Sequence, residues 1–191
     1  LTREREFWWD ELEQLILNDR PLPKKLTLTI NEGERSWAIS PDSSRHNMKF
    51  GRAWEGEPGS RMSIFKKIWK SMLRLSSDEQ NSVLDQLASL SESPPILRRS
   101  HRSMTAEEVI TLAQDGLVDI GSHTVNHPLL TAHSEEVQRQ EIKNNKSQLE
   151  ELIGTKISCF AYPFGDHNLE TARITREAGF ECACTTVEDT V

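Results

Sequence analysis

The sequence predicts an α/β fold for its C-terminal half, because strand patterns and helix patterns alternate there. Three short apolar segments have the length and composition of buried strands, at 117–121, 156–161 and 180–185. Two amphipathic segments separate them, at 134–153 and 169–178. Strands that are joined by helical crossovers pair in parallel, so we expect successive βα units.

Capping residues mark the ends of the helices in this half. Thr105 and Glu108 have the spacing of a capping box and open a further helix, which runs to about Gln114. Ser134 is placed to cap the long helix, and Gly154 stands just beyond its end. The helix boundaries are therefore predicted independently of the apolar pattern.

The first 103 residues predict a separate mixed region. Its elements are a helix at 4–17, a β-hairpin at 26–30 and 35–39, a loop at 40–59, helices at 62–75 and 77–90, and a linker at 91–103. We expect Gly33 in the hairpin turn, and Ser77 with Gln80 as the cap of the last helix. The tryptophans of this region could stack on sugar rings, but tryptophan on a helix stripe is more often a core residue.

Composition excludes several classes of function. The chain has 191 residues, of which 36% are hydrophobic and 28% charged, and its net charge is −7. This acidity argues against a nucleic-acid surface, because such surfaces are basic. No apolar run approaches the roughly 20 residues that a membrane-spanning helix requires. We therefore predict no nucleic-acid partner and no membrane span, while the oligomeric state stays open.

The three cysteines, Cys159, Cys182 and Cys184, bear on the cellular compartment. Their number is odd, they form no C-x-x-C pair, and apolar residues flank them. We therefore predict reduced thiols in the core, with a disulfide as the alternative. Reduced thiols and the lack of a signal pattern favour an intracellular setting. Because residue 1 is Leu and not Met, we also expect a trimmed chain or a fragment.

His123 and His127 are the strongest candidates for chemistry. They follow the first predicted strand and stand four positions apart, so one helical turn would direct both imidazoles to one point. Neutral imidazole binds Zn²⁺ and its neighbours in the first transition row. In a chain with six histidines the pair could also be an ordinary solvated one. Its position past a strand end, where α/β folds carry their chemistry, favours metal binding.

A second candidate motif follows the next predicted strand and comprises Tyr162, Pro163, Phe164, Gly165 and Asp166. Loops that follow parallel strands share one rim, so we expect this motif beside the histidine pair. Glycine would let the backbone approach a ligand closely, and proline would stiffen the loop. The alternative is an ordinary strand-end turn, which proline and glycine also explain.

The order of these motifs resembles the polysaccharide deacetylase family, the NodB-homology carbohydrate esterases. GSHTVNHPLL is followed by a helix-bearing spacer, then by FAYPFGD and EAGFECACTT, so the resemblance covers about residues 104 to 187. It implies a partial, distorted (β/α) barrel of parallel strands in 104–191, with 1–103 as a helical and β-hairpin insertion on the N-terminal side. It further implies a metal-dependent hydrolase that removes acetyl groups from N-acetylated sugars or polysaccharide. Because no signal pattern is visible, we expect this hydrolase in the bacterial cytoplasm.

The resemblance assigns a role to each motif. His123 and His127 would bind a divalent metal, Zn²⁺ or else Co²⁺ or Ni²⁺, with Thr124 in the family's hydroxyl position. The backbone N–H of Phe164 would stabilise the oxyanion. The residues that would line the substrate groove are Tyr162, Pro163, Gly165 and Asp166.

Three features of the family's pattern have no match in the chain. A T-F-D-D-G-like strand end, which supplies the catalytic base and a third metal ligand, is missing, and so is a later Leu-x-His that bears the general acid. The loop arginine expected near Ala161 is missing too. We expect the first motif before residue 1 and the last after residue 191, so that the isolated chain is inactive or nearly so. Replacement by Asp166 or His167 is the less favoured alternative.

Two other functions stay open at this point. An O-acetyl esterase or a deformylase would share the fold and the metal, so that only its substrates would distinguish it. A catalytically silent glycan-binding or scaffold module would keep the groove without the base. Metal content separates this module from the enzymes, because a glycan binder could hold its ligand without a metal.

Overall fold

The computed structural model describes residues 5–18, 21–40, 58–91, 95–114 and 116–186. Most of the loop predicted at 40–59 therefore lies outside the described residues, as does Glu4, the predicted first residue of the first helix. The described residues form two compact units, which divide between Ser103 and Met104. Within these ranges, no helix combines the length and the hydropathy that crossing a bilayer requires.

The described part of the N-terminal unit contains three α-helices and a β-hairpin, as the sequence predicted. Their bounds are Trp8–Ile16 (α1), Lys25–Ile30 (β1), Gly33–Ala38 (β2), Arg61–Met72 (α2) and Ser77–Leu90 (α3). The hairpin turns at Asn31 and Glu32, whose φ values of 51° and 59° are typical of a two-residue turn that matches strand twist. The predicted place of Gly33 in the turn is wrong, because Gly33 pairs with Ile30 as the first residue of β2.

The predicted cap of α3 is wrong by one residue. Ser76, and not Ser77, accepts from the backbone N–H of Glu79, and the Glu79 carboxylate accepts from the backbone N–H of Ser76 in return. Gln80 is buried, and its Nε2 donates to the carbonyl oxygen of Met72 over 3.1 Å. The Gln80 side chain, which was predicted to cap α3, therefore donates a hydrogen bond to a carbonyl oxygen at the C-terminal end of α2.

The N-terminal unit has an apolar core. Side chains alternate along β1, so that Leu26, Leu28 and Ile30 are buried, whereas β2 is mostly exposed. Leu75, between α2 and α3, is buried as well. The helices contribute the other large buried side chains, which are Trp8, Leu12, Leu15, Ile16, Ile64, Ile68, Met72, Val83, Leu84 and Leu87. Trp8 is 5% exposed, which confirms the core interpretation for this tryptophan.

A buried carboxylate fixes the segment before residue 99 to the start of the chain. Glu6 is buried and accepts from the backbone N–H of Arg98 over 2.6 Å and from its Nη2 over 2.7 Å. Burial opposes ionisation of Glu6, but the hydrogen bonds from Arg98 outweigh it and hold the pKa of Glu6 below its usual range. Gln14 of α1 adds a pair of hydrogen bonds with the backbone of Ile96, over 2.9 and 3.2 Å.

The C-terminal unit is of the α/β class, as predicted. Its elements are Ala106–Gln114 (α4), Glu135–Ile153 (α5), Cys159–Ala161 (β3), Leu169–Glu177 (α6) and Cys182–Cys184 (β4). Strands β3 and β4 pair in parallel, and Ser122 forms a parallel bridge with Phe160 on the other side of β3. Helix α5 connects the bridge to β3, and α6 connects β3 to β4, so the predicted βα order is confirmed.

The first predicted strand, at 117–121, is wrong. Pairing is confined to Ser122, whose N–H donates to the carbonyl oxygen of Cys159 and whose own carbonyl accepts from Ala161, both over 2.9 Å. Leu117 is 89% exposed and Val118 43%. Strand β3 has only three residues, and Ser122 pairs with the middle one. Within the described chain, β3 does not extend far enough to pair with the apolar residues that precede Ser122.

Aromatic and aliphatic side chains form the core beneath the parallel strands. Phe160 is fully buried at its centre, with its ring centroid 5.1 Å from that of Tyr162 and 5.2 Å from that of Phe180. The other buried members of this cluster are Leu130, Ile142, Leu149, Ile157 and Ile174. The two helical crossovers therefore pack on the same side of β3 as Phe160.

The prediction of reduced core thiols is also wrong. Cys159 and Cys182 form a disulfide, with their Cα atoms 4.9 Å apart, and Cys184 is a free, exposed thiol. Cys159 and Cys182 are direct partners in the register of β3 and β4. Alternation turns Cys159 away from the face that buries Phe160, so apolar neighbours did not imply burial. The disulfide removes the support that reduced thiols gave to a cytoplasmic setting.

Candidate metal centre

The loop at 123–127 brings two imidazoles together. The ring centroids of His123 and His127 are 4.6 Å apart, and the ring planes are inclined at 75°. The loop is not helical, because Thr124 and His127 have φ values of 64° and 57°. The two histidines therefore converge, but the predicted helical turn is not the reason.

The Thr124 side chain closes this loop. Its hydroxyl donates to the carbonyl oxygen of His123 over 2.6 Å and accepts from the backbone N–H of His127 over 3.0 Å. Threonine is β-branched and seldom adopts positive φ, and such strain costs about 1–3 kcal/mol per residue. The two hydrogen bonds of the buried hydroxyl offset this cost and fix the spacing between the histidines.

The orientation of His123 is set by the backbone of β3. His123 Nδ1 lies 2.7 Å from the carbonyl oxygen of Ala161. A carbonyl oxygen can only accept, so Nδ1 carries the proton and donates it. Nε2 is then the nitrogen with the lone pair, and His123 is exposed to solvent. A ring N–H on a backbone carbonyl is the usual way in which a metal-binding histidine is oriented.

Two side chains of α5 hold the backbone of the same loop. The Glu141 carboxylate accepts from the backbone N–H groups of Val125 and Asn126, over 2.9 and 2.8 Å, and from Asn126 Nδ2 over 2.7 Å. One turn later, Asn145 Oδ1 accepts from Ser122 Oγ over 2.7 Å and from the backbone N–H of the following residue over 3.2 Å. Neither residue is marked by a motif in the sequence, because both lie in a helix well downstream of the loop they support.

The second motif lies beside the histidine pair. The ring of Phe164 meets the ring of His127 edge-on, with 4.6 Å between centroids and 82° between planes. Phe164 has a φ of 58° inside the tight turn Pro163–Gly165, and Gly165 has a φ of 70°. The strand-end loops after the Ser122 bridge and after β3 therefore meet on one rim, as their parallel order requires.

Residues after β4 complete this rim. The Thr185 hydroxyl donates to the carbonyl oxygen of Gly165 over 3.0 Å, and the Thr186 hydroxyl donates to that of Phe164 over 3.2 Å. A Cβ atom on Gly165 would lie 2.1 Å from Thr186 Oγ1 and 2.6 Å from Thr186 N. This position therefore requires glycine for space as well as for its backbone angle. Neither threonine was predicted as a site residue, although Thr185 is the last residue of a predicted strand and Thr186 directly follows it.

Tyr162 and Asp166 of the second motif contact neighbouring side chains. Tyr162 is 7% exposed, and its ring stacks on His167 with 4.9 Å between centroids. The Asp166 carboxylate accepts from Thr131, over 2.8 Å from its backbone N–H and 2.9 Å from its hydroxyl. His167 Nδ1 donates to the carbonyl oxygen of Gly165 over 3.1 Å. Asp166 and His167 are thus committed to loop contacts, and neither joins the histidine pair.

The histidine pair fits a divalent metal, but as part of a ligand set. Imidazole nitrogens suit Zn²⁺, Co²⁺ and Ni²⁺, and the fixed tautomer of His123 presents a lone pair at Nε2. Catalytic zinc usually takes three protein ligands. Across the part of the chain that the structure describes, no cluster of three His, Cys, Asp or Glu side chains could hold a metal. The described residues therefore supply two candidate ligands.

Solved structures of deacetylases resemble the chain over part of its length. The Streptococcus pyogenes deacetylase PplD in complex with acetate is 31% identical, with a TM-score of 0.43, covering 46% of this chain and 38% of that one. The putative polysaccharide deacetylase BA0330 from Bacillus anthracis and the polysaccharide deacetylase BC0361 from Bacillus cereus are each 24% identical, with a TM-score of 0.42. In both comparisons 46% of this chain and 27% of the other are covered.

Sequence comparison finds a similarity to one family over part of the chain. The putative polysaccharide deacetylase YxkH of Bacillus subtilis (strain 168) is 28% identical over 83 residues, which are 44% of this chain and 29% of that protein. The chain thus spans less than a third of the length of this relative. The polysaccharide deacetylase family model matches residues 93–183, a range that includes the histidine loop and the Pro-Phe-Gly turn. Residues 93–183 are therefore the part of this chain that is similar to polysaccharide deacetylases.

Proposed function

We propose that this chain contributes the two-histidine part of the metal centre of a carbohydrate deacetylase. The observation that carries the proposal is the hydrogen bond from His123 Nδ1 to the carbonyl oxygen of Ala161, beside the ring of His127. This bond gives His123 the tautomer that a metal ligand needs. The match of residues 93–183 to the polysaccharide deacetylase family model supports the same assignment.

The residues on the rim have separate tasks in this proposal. His123 and His127 would hold the metal, with Zn²⁺ favoured and Co²⁺ or Ni²⁺ as alternatives. When bound, such a metal supplies an activated water at neutral pH and polarises the acyl carbonyl. The backbone N–H of Phe164 would donate to the oxyanion that forms on the acyl group, and one such donor typically contributes about 10²–10³ in rate. The contact between the rings of Phe164 and His127 supports this placement.

The substrate class in this proposal is an N-acetylated sugar or polysaccharide. The loop that would line its groove consists of Tyr162, Pro163, Gly165 and Asp166, and it would act mainly through its main chain and its fixed shape. The third metal ligand, the base and the general acid would come from parts of the full-length protein beyond the described residues. The isolated chain of 191 residues should then be inactive or nearly so.

The arrangement of the parallel strands suggests where those parts belong. We infer that the order Ser122 bridge, β3 and β4 is a section of a distorted (β/α) barrel, and that residues 1–103 are an insertion into it. In a barrel of this kind the loops at the carboxyl ends of several strands build one site. Additional strand ends would then bring the remaining groups to the rim that holds His123 and His127.

Metal binding tests this function. We expect the chain to bind Zn²⁺ or Co²⁺ at about one equivalent, and His123→Ala to weaken that binding by more than about 100-fold, beyond the range typical of outer-shell partners. His101→Ala is the matched control, because His101 lies outside the C-terminal unit. The measurement is calorimetric titration of the metal-free chain. Equal affinity in His123→Ala and the unsubstituted chain would contradict the proposal.

Two alternatives are separated by substrate and ligand assays. An O-acetyl esterase of the same fold would release acetate from acetylxylan faster than from an N-acetylglucosamine oligomer, when the full-length protein is assayed. A catalytically silent glycan-binding module is favoured by one observation, namely that the described residues group two candidate metal ligands and not three. Such a module would bind the oligomer equally well with and without a chelator and release no acetate.

A further inference from the structure

We propose that Glu141 and Asn145 are positioning residues for the two candidate metal ligands. They lie one turn apart on α5, so their side chains leave the helix on one face. Asn145 fixes the backbone at His123, and Glu141 fixes the two residues between the histidines. This inference rests on the proposed metal function of His123 and His127.

The loop needs support from outside itself. It has no helical or strand hydrogen bonds beyond the bridge at Ser122, and two of its residues, Thr124 and His127, have positive φ without being glycine. Such backbone persists only where the surroundings determine it. The described surroundings that bond to the backbone at 122–126 include two polar side chains of a single helix.

The Glu141 carboxylate is suited to this task by geometry. Successive backbone N–H groups of Val125 and Asn126 point at the same oxygen, Oε2, while the Asn126 side chain occupies Oε1. Hydrogen bonds to an ionised acceptor are about twice as strong as those between neutral groups. The distance along the loop between the two histidines is thereby tied to one rigid helix.

Asn145 links the loop to the start of the rim. Its Oδ1 accepts at once from the buried Ser122 hydroxyl and from the backbone N–H of His123. Ser122 in turn pairs with β3, whose Ala161 carbonyl orients the His123 ring. Removal of the amide oxygen should therefore loosen both the backbone and the ring orientation of His123.

Alanine variants test the inference on the chain of 191 residues. Glu141→Ala and Asn145→Ala should each weaken Co²⁺ binding by about 10–100-fold, the range typical of residues that orient metal ligands. Glu151→Ala and Asn144→Ala are matched controls on exposed positions of the same helix and should leave the affinity within about 2-fold. The probe is Co²⁺ alone, followed by its visible absorption.

Conservative variants separate positioning from general stability. Glu141→Gln keeps an acceptor oxygen for the backbone N–H groups, and Asn145→Asp keeps both acceptor contacts, so each should restore at least half of the lost binding free energy. A variant that melts earlier but binds Co²⁺ with unchanged affinity below its melting temperature would overturn the inference. So would equal losses of affinity in the controls.

A metal-free measurement keeps the inference separate from the proposed function. Nitrogen chemical shifts of the His123 imidazole report which ring nitrogen carries the proton. We expect one fixed Nδ1–H form in the unsubstituted chain and a mixture of both forms in Glu141→Ala and Asn145→Ala. If the unsubstituted chain binds no Co²⁺, the proposed function fails, and these shifts still decide the inference: a retained Nδ1–H form in both variants would overturn it.

Discussion

The two units of the chain stabilise their backbones in different ways. In the N-terminal unit, regular helices and a hairpin bury a core of mostly aliphatic side chains, and the buried carboxylates Glu6 and Glu11 bond to arginine. In the C-terminal unit, the strands have three residues each, and the loops at 123–127 and 163–165 contain non-glycine residues with positive φ. Side-chain hydrogen bonds from neighbouring elements hold those loops.

This difference indicates where each unit can change without loss of the candidate site. An apolar core tolerates local change in proportion to the volume that is lost. A strained loop held by a few polar contacts loses its conformation when one contact is removed. Stability in the first unit and ligand geometry in the second should therefore respond to different substitutions.

The largest expected effect on stability comes from the apolar core. Ile68 is fully buried in α2, and Ile68→Ala should lower the free energy of unfolding by about 4 kcal/mol. All five tryptophans lie before residue 104, so tryptophan emission in a denaturant series reports on this unit. Co²⁺ affinity under native conditions should not change. A tenfold loss of affinity would break the separation between the units.

The disulfide should contribute the next largest effect, in the other unit. Cys159 and Cys182 are 23 positions apart in the sequence, and closing a loop of that size stabilises a domain by about 3 kcal/mol. A double serine variant should lose this amount, measured by hydrogen exchange of amides in β3 and α6. Cys184→Ser removes an exposed free thiol and should have no effect. Unchanged amide hydrogen exchange after reduction of the disulfide would contradict this stabilising role.

Glycine substitutions sharpen the comparison within the C-terminal unit. Gly165 and Gly154 have φ values of 70° and 71°, so alanine costs backbone strain at both. At Gly165 the new Cβ would also clash with Thr186, whereas at Gly154 it meets nothing within 4 Å. Gly165→Ala should therefore destabilise by about 2 kcal/mol more than Gly154→Ala. Equal losses in thermal unfolding would show that the turn yields easily.

The smallest effect should be the acid dependence of the N-terminal unit. Burial raises the pKa of Glu6, but the hydrogen bonds from Arg98 outweigh burial, so the pKa of Glu6 is lowered in the folded state. A depressed folded pKa gives stability that is complete above the unfolded value of about 4.3 and is lost as pH falls through the folded value. Arg98→Gln should flatten this loss in tryptophan-detected unfolding between about pH 3 and 6. An identical acid limb in both proteins would argue against the pairing.

The regular elements of both units were predictable because their signals are local. Helix α5 begins after Ser134, whose side chain accepts from the backbone N–H of Val137, and ends at Gly154 in the left-handed region. The capping box of Thr105 and Glu108 is likewise present, over 2.8 and 3.2 Å. Such caps depend on residues three or four apart, which one sequence displays directly.

The candidate site was predictable in its residues but not in its construction. The spacing of His123 and His127 predicted that both imidazoles point to one metal ion. In the structure a strained loop brings the two rings together. The support for that loop comes from Glu141 and Asn145, at distances along the chain that no local pattern encodes. The roles of the site residues in binding metal and substrate stay predictions.

The prediction for the cysteines was wrong for a related reason. Whether two cysteines can bond depends on the distance and direction of their Cβ atoms, and therefore on strand register. The register that pairs Cys159 with Cys182 is fixed by three residues in each strand and by the packing of Phe160 beneath them. Apolar neighbours alone could not distinguish a buried thiol from an outward-facing half of a disulfide.

The hydrogen bond between the His123 ring and Ala161 uses a peptide oxygen and no side chain. Every amino acid supplies that oxygen, so a saturation scan at codon 161 should leave the imidazole tautomer intact wherever the strand still forms. A mutational screen would then score this position as silent although it sets the proton on the ring. Backbone replacement at this bond, by an ester or a thioamide, would reveal the dependence that side-chain mutagenesis conceals.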